Sequence, residues 1–190
     1  VCYGMIYGMG ARALAGQLSI EEEEAYVFME KFMTKFPGVQ KFLSNTVENC
    51  RKKGYVTTIL GRRRYLPNIS SQNAHSKAQS ERQAVNTSIQ GSAADLVKLA
   101  MVKINSELHQ AFPNSPYFIT QPLQRKQQLS GAFLVLQLHD ELIYEVVAED
   151  LVQVAQLVQF NMENVKQLAV ELPIKFNVGP SWGTMQTLKL

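Results

Sequence analysis

Hydrophobic side chains recur every three or four positions through the first third of the chain, which is the spacing of amphipathic helices. The spacing predicts one helix from about residue 20 to Phe36 and a second from Val39 to about Lys53, separated by a break at Pro37-Gly38. Ser19 followed by Glu22 predicts a capping box at the start of the first helix. Six side chains of that helix have the spacing of core positions: Tyr26, Phe28, Met29, Phe32, Met33 and Phe36. We interpret the two helices as scaffold.

The first 18 residues combine apolar residues at helical spacing with three glycines, Gly4, Gly8 and Gly10. Because a glycine inside a helix costs about 1 kcal/mol relative to alanine, these positions weaken a helix here. Two interpretations are open. The segment is either a helix end where a flat ligand approaches the backbone closely, or a kinked core helix followed by a turn.

The middle of the chain predicts a strand, a turn and a long helix. Tyr55–Leu60 is rich in β-branched and apolar residues, and Gly61 marks the turn that follows. Helical spacing returns from Lys77 to about Gln110, with Gly91 as the one weak point. Prolines and polar residues then predict a long surface loop or insertion at about 111–131.

The last third of the chain predicts a hairpin, a helix and a strand. Two apolar, β-prone runs flank His139-Asp140-Glu141, and this pattern predicts a hairpin whose second strand ends near Val147. An amphipathic helix is predicted from Glu149 to Ala169, and a last strand from Ile174 to Val178. Two paired strands, a crossing helix and a further strand predict an α+β fold with helices on one side of a sheet.

Composition restricts the class of protein. Hydrophobic residues make up 46% of the chain and charged residues 18%, which is typical of a folded globular protein and excludes a disordered chain. No run approaches the roughly 20 consecutive apolar residues that a membrane span needs, and no basic-then-apolar leader opens the chain. We therefore expect neither membrane insertion nor secretion. Cys2 and Cys50 lack metal-binding spacing and are interpreted as reduced thiols of an intracellular protein.

Positive charge is concentrated in one short stretch. Six cationic residues lie close together in the sequence: Arg51, Lys52, Lys53, Arg62, Arg63 and Arg64. Three consecutive arginines cannot all be core residues. The stretch is either a solvated basic turn or a set of guanidinium groups presented to phosphates, and the neighbouring cations favour the second interpretation.

A stripe of hydrogen-bond donors follows on the predicted long helix. Arg82, Asn86 and Gln90 stand at positions i, i+4 and i+8, which places them on one helix face. Such a stripe is either the ordinary wet side of a helix or a surface that contacts the DNA minor groove. Every base pair offers acceptors at similar positions in that groove, so these donors could check pair geometry without reading sequence.

Two adjacent carboxylates, Asp140 and Glu141, lie at the predicted hairpin turn. The turn would raise both out of an otherwise buried sheet, where they could hold a cation. The alternative for such a motif by itself is an ordinary solvated acidic turn.

Several short motifs occur together in one order. They are Tyr3-Gly4-Met5-Ile6-Tyr7-Gly8, Thr58-Ile59-Leu60-Gly61-Arg62-Arg63-Arg64-Tyr65-Leu66-Pro67, Glu81-Arg82-Gln83-Ala84-Val85-Asn86, Gln90-Gly91-Ser92-Ala93-Ala94-Asp95, Leu138-His139-Asp140-Glu141 and the ending near Trp182. In this order the chain resembles the polymerase region of family A DNA polymerases, most closely the eukaryotic theta and nu types. The resemblance implies a partial right-hand polymerase fold of the α+β class, with helical fingers at residues 1–53 and a palm with an antiparallel sheet at residues 54–190. The loop at about 111–131 lies where theta-type polymerases carry an insertion.

The resemblance also implies roles for individual residues. Asp140 and, more loosely, Glu141 would bind two Mg²⁺ ions, with Mn²⁺ as the alternative ion, for nucleotidyl transfer from a dNTP to a primer 3′-hydroxyl. Tyr3 would stack on the incoming nucleotide, and Tyr7 and Gly8 would border the new base pair. Eight residues would contact primer-template DNA: Arg82, Asn86 and Gln90 in the minor groove, Arg62, Arg63 and Arg64 at the backbone, and Gln137 and His139 by the primer terminus.

Parts of the family pattern are absent from this sequence. They are the fingers-helix Arg and Lys residues that hold the triphosphate, and the palm strand that carries the other catalytic Asp and the sugar-screening residue. We therefore expect a C-terminal piece of a polymerase that needs its N-terminal remainder and does not synthesise DNA alone. Its expected role is DNA repair or translesion synthesis in the nucleus. The alternatives are a non-catalytic duplex-DNA-binding module and a purely structural α+β domain.

Overall fold

The structure, a computed structural model, describes residues 1–113, 115 and 130–189. The chain divides into two units, Val1–Ser92 and Ala93–Leu190, each of which has its own hydrophobic clusters. The fold is α+β, with α-helices and small antiparallel sheets, as predicted. Within the described ranges, no helix is long and apolar enough to span a membrane.

The first unit is mainly helical. Its helices are α1 (Cys2–Ile6), α2 (Ala11–Leu18), α3 (Glu22–Lys35), α4 (Pro37–Lys53) and α5 (Ala74–Asn86), and a π-helical turn (Thr87–Gly91) follows α5. The two helices predicted around Pro37 are confirmed as α3 and α4. Pro37 is the first residue of α4 rather than part of a longer break, a position at which the missing proline N–H costs nothing.

The predicted capping box at Ser19 is wrong. Ser19 ends α2 in the left-handed conformation, with φ of 55°, and its backbone N–H donates to the Ala15 carbonyl oxygen. Glu21 precedes the first turn of α3 without a side-chain capping bond. The three glutamates of that turn still match the positive end of the helix dipole.

The core face of α3 is narrower than predicted. Ala25, Met29 and Phe32 stand at i, i+4 and i+7 and pack into a cluster with Met5 and Leu14. Two further predicted core positions lie to either side of this line, and both are exposed: Tyr26 at 65% and Phe28 at 45%. Phe36, at the helix end, is exposed as well.

A short hairpin connects α4 to α5. Strand β1 (Tyr55–Thr57) pairs antiparallel with β2 (Arg63–Tyr65), so the predicted strand at 55–60 is confirmed only in its first half. The hairpin and the two helices share one cluster of buried side chains: Cys50, Val56, Leu66, Ile69 and Ala84. This cluster places the basic hairpin against the end of α5.

The second unit contains the other predicted hairpin. Its elements are α6 (Ser92–Ala111, beginning at the last residue of the first unit), β3 (Ala132–Leu138), β4 (Glu141–Val146), α7 (Leu151–Glu163), β5 (Phe176–Val178) and β6 (Gln186–Leu188). The strands β3 and β4 pair antiparallel, as predicted. Helix α7 is confirmed but ends six residues before the predicted Ala169. The insertion predicted at about 111–131 lies largely outside the described residues.

The expected single sheet is not present among the described strands. Strand β5 pairs with β6, which was not predicted, and these two form a separate antiparallel sheet. A β-bulge between Leu134 and Leu136 leaves Val135 out of the β3–β4 ladder. One core of this unit joins α6, α7 and the base of the β3–β4 hairpin, and Asn161 Nδ2 of α7 donates to Glu107 Oε2 of α6 at 2.6 Å. The far end of the hairpin is exposed.

Candidate functional site

The acidic motif lies in a tight turn at the tip of the β3–β4 hairpin. Leu138 pairs with Glu141, so His139 and Asp140 form a two-residue loop. His139 has φ of 54°, a conformation that Gly usually adopts at the first position of a type II′ turn. Gln137 Nε2 donates to the His139 carbonyl oxygen at 2.6 Å. The side chain predicted to lie by the primer terminus therefore also closes this turn.

Asp140 and Glu141 are both exposed, and neither carboxylate has a hydrogen bond or ion pair with a described residue. In the part of the chain that the structure describes, no group of three or more His, Cys, Asp and Glu side chains could hold a metal ion. Magnesium typically uses one or two carboxylates and completes its octahedron with waters and substrate phosphates. The donor set therefore fits a Mg²⁺ ion shared with a substrate and does not fit a closed protein cage.

The three arginines of the basic hairpin have different surroundings. Arg62 Nη2 donates to the Gly91 carbonyl oxygen at 3.2 Å, and Arg64 Nη1 donates to Thr87 Oγ1 at 3.0 Å. The Arg63 guanidinium instead lies 4.9 Å from the centre of the Tyr55 ring, which is a cation–π contact. All three residues remain exposed, so phosphates can reach them from solvent.

Two cations of the basic cluster on α4 form ion pairs with glutamates. Arg51 forms an ion pair with Glu81 of α5, and Lys52 Nζ lies 2.6 Å from Glu48 Oε1 one turn earlier in α4. The hydrogen bond and charge of Lys52 lower the pKa of Glu48. A hydrogen bond with the Tyr65 side chain, followed by the charges of Tyr55 and Tyr65, raises the pKa of Arg63. Two of the six cations of the cluster, Arg51 and Lys52, thus form ion pairs with glutamates of the same unit.

The predicted donor stripe is divided between two kinds of helix. Arg82 and Asn86 lie one turn apart in α5, whereas Gln90 lies in the π-helical turn. Because a π-turn bonds residue i to i+5, the direction of Gln90 is set by this turn and not by the regular helical register. Arg82 and Gln90 are exposed, and Asn86 is partly exposed.

The predicted nucleotide-binding residues lie at the beginning of the first unit. Tyr3 is 77% exposed on α1, and Tyr7 follows the last residue of that helix. Gly8 has φ of 86°, and a Cβ at this position would stand 3.1 Å from Arg82 Cγ. The helix α1 therefore ends before Gly8, where the positive φ favours glycine and an added Cβ would crowd the Arg82 side chain.

Within the first unit the structure brings together Gly8 with Arg82, and Arg62 and Arg64 with the π-turn. Three contact residues in or next to the π-turn were not singled out from the sequence: Thr87, Gly91 as an acceptor, and Ser92 at the start of α6. The signal was the run Thr87-Ser88-Ile89-Gln90-Gly91-Ser92, in which hydroxyl residues, a β-branched residue and a glycine weaken a regular helix.

Comparisons with known proteins agree on one family. A family model described as DNA polymerase family A matches residues 1–184. DNA polymerase theta of Mus musculus is 45% identical over 98% of this chain, which corresponds to 8% of that protein. DNA polymerase I of Geobacillus stearothermophilus is 40% identical over 96% of this chain and 19% of its own length.

A solved structure gives the same result at the level of the fold. The POL domain of Pol1 from M. smegmatis, in complex with DNA primer-template and dNTP, superposes with a TM-score of 0.78 at 39% identity, over 90% of this chain and 27% of that one. The chain therefore spans only a small part of the relatives it matches. Since the family model covers nearly its whole length, the chain belongs to DNA polymerase family A.

Proposed function

We propose that this chain is part of the catalytic domain of a DNA-directed DNA polymerase, which transfers nucleotides from dNTPs to a primer 3′-hydroxyl under the direction of a template. The observation that carries the proposal is the exposed pair Asp140 and Glu141 at the tip of the β3–β4 hairpin. Membership of the family and the primer-template and dNTP bound to the M. smegmatis relative support it. In this proposal residues 1–53 are a fingers segment and residues 54–190 a palm segment.

Asp140 and, more loosely, Glu141 hold two Mg²⁺ ions, with Mn²⁺ as the alternative ion. When bound, such a pair of ions activates the attacking oxygen and neutralises the charge of the leaving pyrophosphate. The tight turn contributes by holding the two carboxylates adjacent and accessible to a substrate. His139 and Gln137 lie in the same turn and contact the primer terminus.

The first unit binds the nucleotide and the duplex. Tyr3 stacks on the incoming nucleotide, for which its high exposure leaves room. Tyr7 and Gly8 border the new base pair. The residues proposed to contact duplex DNA are Arg82, Asn86 and Gln90 in the minor groove and Arg62, Arg63 and Arg64 at the backbone.

The catalytic site needs residues from the rest of the polymerase. The described residues form no group of three or more side chains that could hold a metal ion, so the isolated chain is expected not to synthesise DNA. The similarity to theta polymerases of two animals supports a nuclear enzyme of DNA repair or translesion synthesis. Primer extension by the isolated chain, with Mg²⁺ and four dNTPs, tests its dependence on the remainder, and clear templated synthesis would overturn that part of the proposal.

Substitution of Asp140 in the full-length protein tests the function itself. Asp140→Asn removes one carboxylate charge at almost constant volume and should lower primer extension by at least about 100-fold, with unchanged affinity for primer-template DNA. Glu145→Gln is the matched control, because Glu145 is an exposed acid of the same hairpin outside the turn. Primer extension by the Asp140→Asn protein at the wild-type rate would contradict the proposal.

A non-catalytic duplex-DNA-binding module is the second candidate. The incomplete carboxylate set of the described residues and the exposed arginines favour it. This candidate predicts salt-dependent binding of duplex DNA by a full-length protein that does not extend a primer. Synthesis that depends on Asp140 would exclude it.

A further inference from the structure

The basic hairpin holds the π-turn at both of its ends. Arg64 Nη1 donates to the hydroxyl of Thr87, the first residue of the turn, at 3.0 Å. Arg62 Nη2 donates to the carbonyl oxygen of Gly91, the last residue, at 3.2 Å. Arg62 and Arg64 are separated by one residue in the hairpin. Their hydrogen bonds thus reach two acceptors, on Gly91 and Thr87, that lie about one helical turn apart.

Two further contacts bring the hairpin close to the same helix. Ile59 N donates to Ser92 Oγ at 2.8 Å. A Cβ at Gly91 would stand 3.0 Å from Thr58 Cγ2 and 3.3 Å from Thr87 Cγ2, so a larger residue would crowd both threonines. Thr58 and Thr87 are both buried, at 5% and 4% exposure. The contact is therefore a packed interface and not a chance meeting of surface side chains.

The hydroxyl groups of the turn stabilise its irregular backbone. A π-turn replaces i→i+4 hydrogen bonds by i→i+5 hydrogen bonds. Three hydroxyls donate to the carbonyl four residues earlier: Thr87 to Gln83 at 2.7 Å, Ser88 to Ala84 at 3.2 Å and Ser92 to Ser88 at 2.5 Å. These side chains supply donors along the helix where the backbone pattern changes.

Gln90 lies between the two held ends, and its side chain is exposed. We propose that Arg62 and Arg64 are positioning residues, which fix the π-turn so that Gln90 is presented to the minor groove of primer-template DNA in one direction. The inference rests on the proposed function, because the contact between Gln90 and the minor groove is itself part of that proposal. Arg63, whose guanidinium stacks on Tyr55 instead of the turn, serves DNA binding by charge alone.

The test separates positioning from charge with four variants of the full-length protein. Thr87→Val removes the hydroxyl that accepts from Arg64 and donates to Gln83, keeps the charge and the branched shape of the side chain, and leaves every arginine in place. Arg64→Gln removes the guanidinium group that donates to the Thr87 hydroxyl and leaves that hydroxyl in place. Arg63→Gln is the matched control, since it removes an equal charge from the same hairpin without touching the π-turn. Gln90→Ala shows the effect of losing the presented side chain.

The measurements are fluorescence-anisotropy affinities for a fully paired primer-template and for one with a single mismatched pair in the duplex, each over a range of salt concentrations. Thr87→Val should lower the ratio of matched to mismatched affinity by about three- to tenfold, which is the range expected when the hydrogen bonds of one hydroxyl are lost. It should leave the salt slope unchanged and have no further effect in a Gln90→Ala background. Arg63→Gln should reduce the salt slope by about one and leave the ratio unchanged.

The inference is overturned if Thr87→Val and Arg64→Gln keep the wild-type ratio of matched to mismatched affinity and Arg64→Gln changes only the salt slope. In that case the arginines contact phosphates and do not position Gln90. A ratio that falls equally with and without Gln90 also overturns it. If Thr87→Val does not fold, Arg62→Gln is compared with Arg63→Gln: both remove one charge, but only Arg62→Gln removes the donor to the Gly91 carbonyl oxygen and should lower the ratio. These are binding measurements, so a wild-type protein that discriminates mismatches but extends no primer contradicts only the proposed function.

Discussion

The side chain of Arg82 lies against Gly8: a Cβ built on Gly8 would stand 3.1 Å from Arg82 Cγ and 3.5 Å from its Cδ. Gly8 also has φ of 86°, a conformation that is unfavourable for residues with a Cβ. The contact joins the turn after α1 to the middle of α5. A residue proposed to border the new base pair is thus packed on a residue proposed to contact the duplex.

Gly8→Ala should destabilise the chain by about 1–3 kcal/mol, because the left-handed backbone costs about 1–2 kcal/mol and the added methyl group crowds Arg82. Urea denaturation measures the loss. Gly54→Ala is the matched control: Gly54 has φ of 76° and nothing within 4 Å of a built Cβ, so only the backbone cost applies. Removing the crowding with Arg82→Ala should reduce the cost of Gly8→Ala, and an unchanged cost would contradict the contact.

Substitution of His139 should separate turn stability from synthesis. His139→Ala keeps a Cβ at φ of 54° and removes the imidazole, whereas His139→Gly removes both. We expect the Gly variant to be more stable than the Ala variant by about 1 kcal/mol, since glycine adopts this conformation without strain. If the imidazole contacts the primer terminus, both variants lose synthesis equally in full-length primer extension. Wild-type synthesis by either variant would contradict that role.

The two cysteines should differ strongly in reactivity. Both are free thiols; Cys2 is exposed, and Cys50 is 1% exposed in the cluster beneath the basic hairpin. Burial raises the pKa of the Cys50 thiol, which further lowers its thiolate fraction near neutral pH. Iodoacetamide should therefore label Cys2 in the native protein and both cysteines after denaturation, as measured by peptide mass spectrometry. Native labelling of Cys50 at the rate of Cys2 would show that the cluster opens readily.

Tyr144 should make the stability of the β3–β4 unit depend on alkaline pH. Burial raises the pKa of Tyr144 to about 12, from a usual value of 10.0. The folded state therefore favours the neutral phenol, so this contribution is fully present below pH 10 and is lost as the pH rises through 12. Relative to Tyr144→Phe, the wild-type protein should lose up to about 1.4 kcal/mol between pH 9 and pH 11, measured by urea denaturation.

The Tyr144→Phe protein, which lacks the phenol, is the reference for this experiment. An identical pH dependence of the wild-type and Tyr144→Phe proteins would contradict the burial of the phenol.

Elements with strong local signals were predicted well. The helices α3 and α4 were found from apolar spacing and from the pair Pro37-Gly38, because amphipathic periodicity and proline geometry act within a few residues. Two apolar runs around His139-Asp140 predict the β3–β4 hairpin. Strands joined by a two-residue turn pair with each other, so the pattern of neighbouring residues is sufficient. The same pattern predicts the acidic pair Asp140-Glu141 at the tip of this hairpin.

Predictions that depended on distant residues failed more often. The capping box at Ser19 was wrong because α2 extends to that residue and uses it as a C-cap. The single sheet was not found because β5 pairs with β6, which carries no clear strand signal of its own. Tyr26 has the spacing of a core residue, yet the core of the first unit reaches only the line of Ala25, Met29 and Phe32.

The sequence by itself determined the family, the helical segments and the identity of the chemical groups, because motifs and periodicity are properties of neighbouring residues. Only the tertiary structure decided what those groups contact. Arg62 and Arg64 look alike in sequence to Arg63, but packing places two of them on the π-turn and one on an aromatic ring. The reason is physical: a guanidinium group binds whichever acceptor the fold brings within about 3 Å, and that acceptor lies more than twenty residues away along the chain.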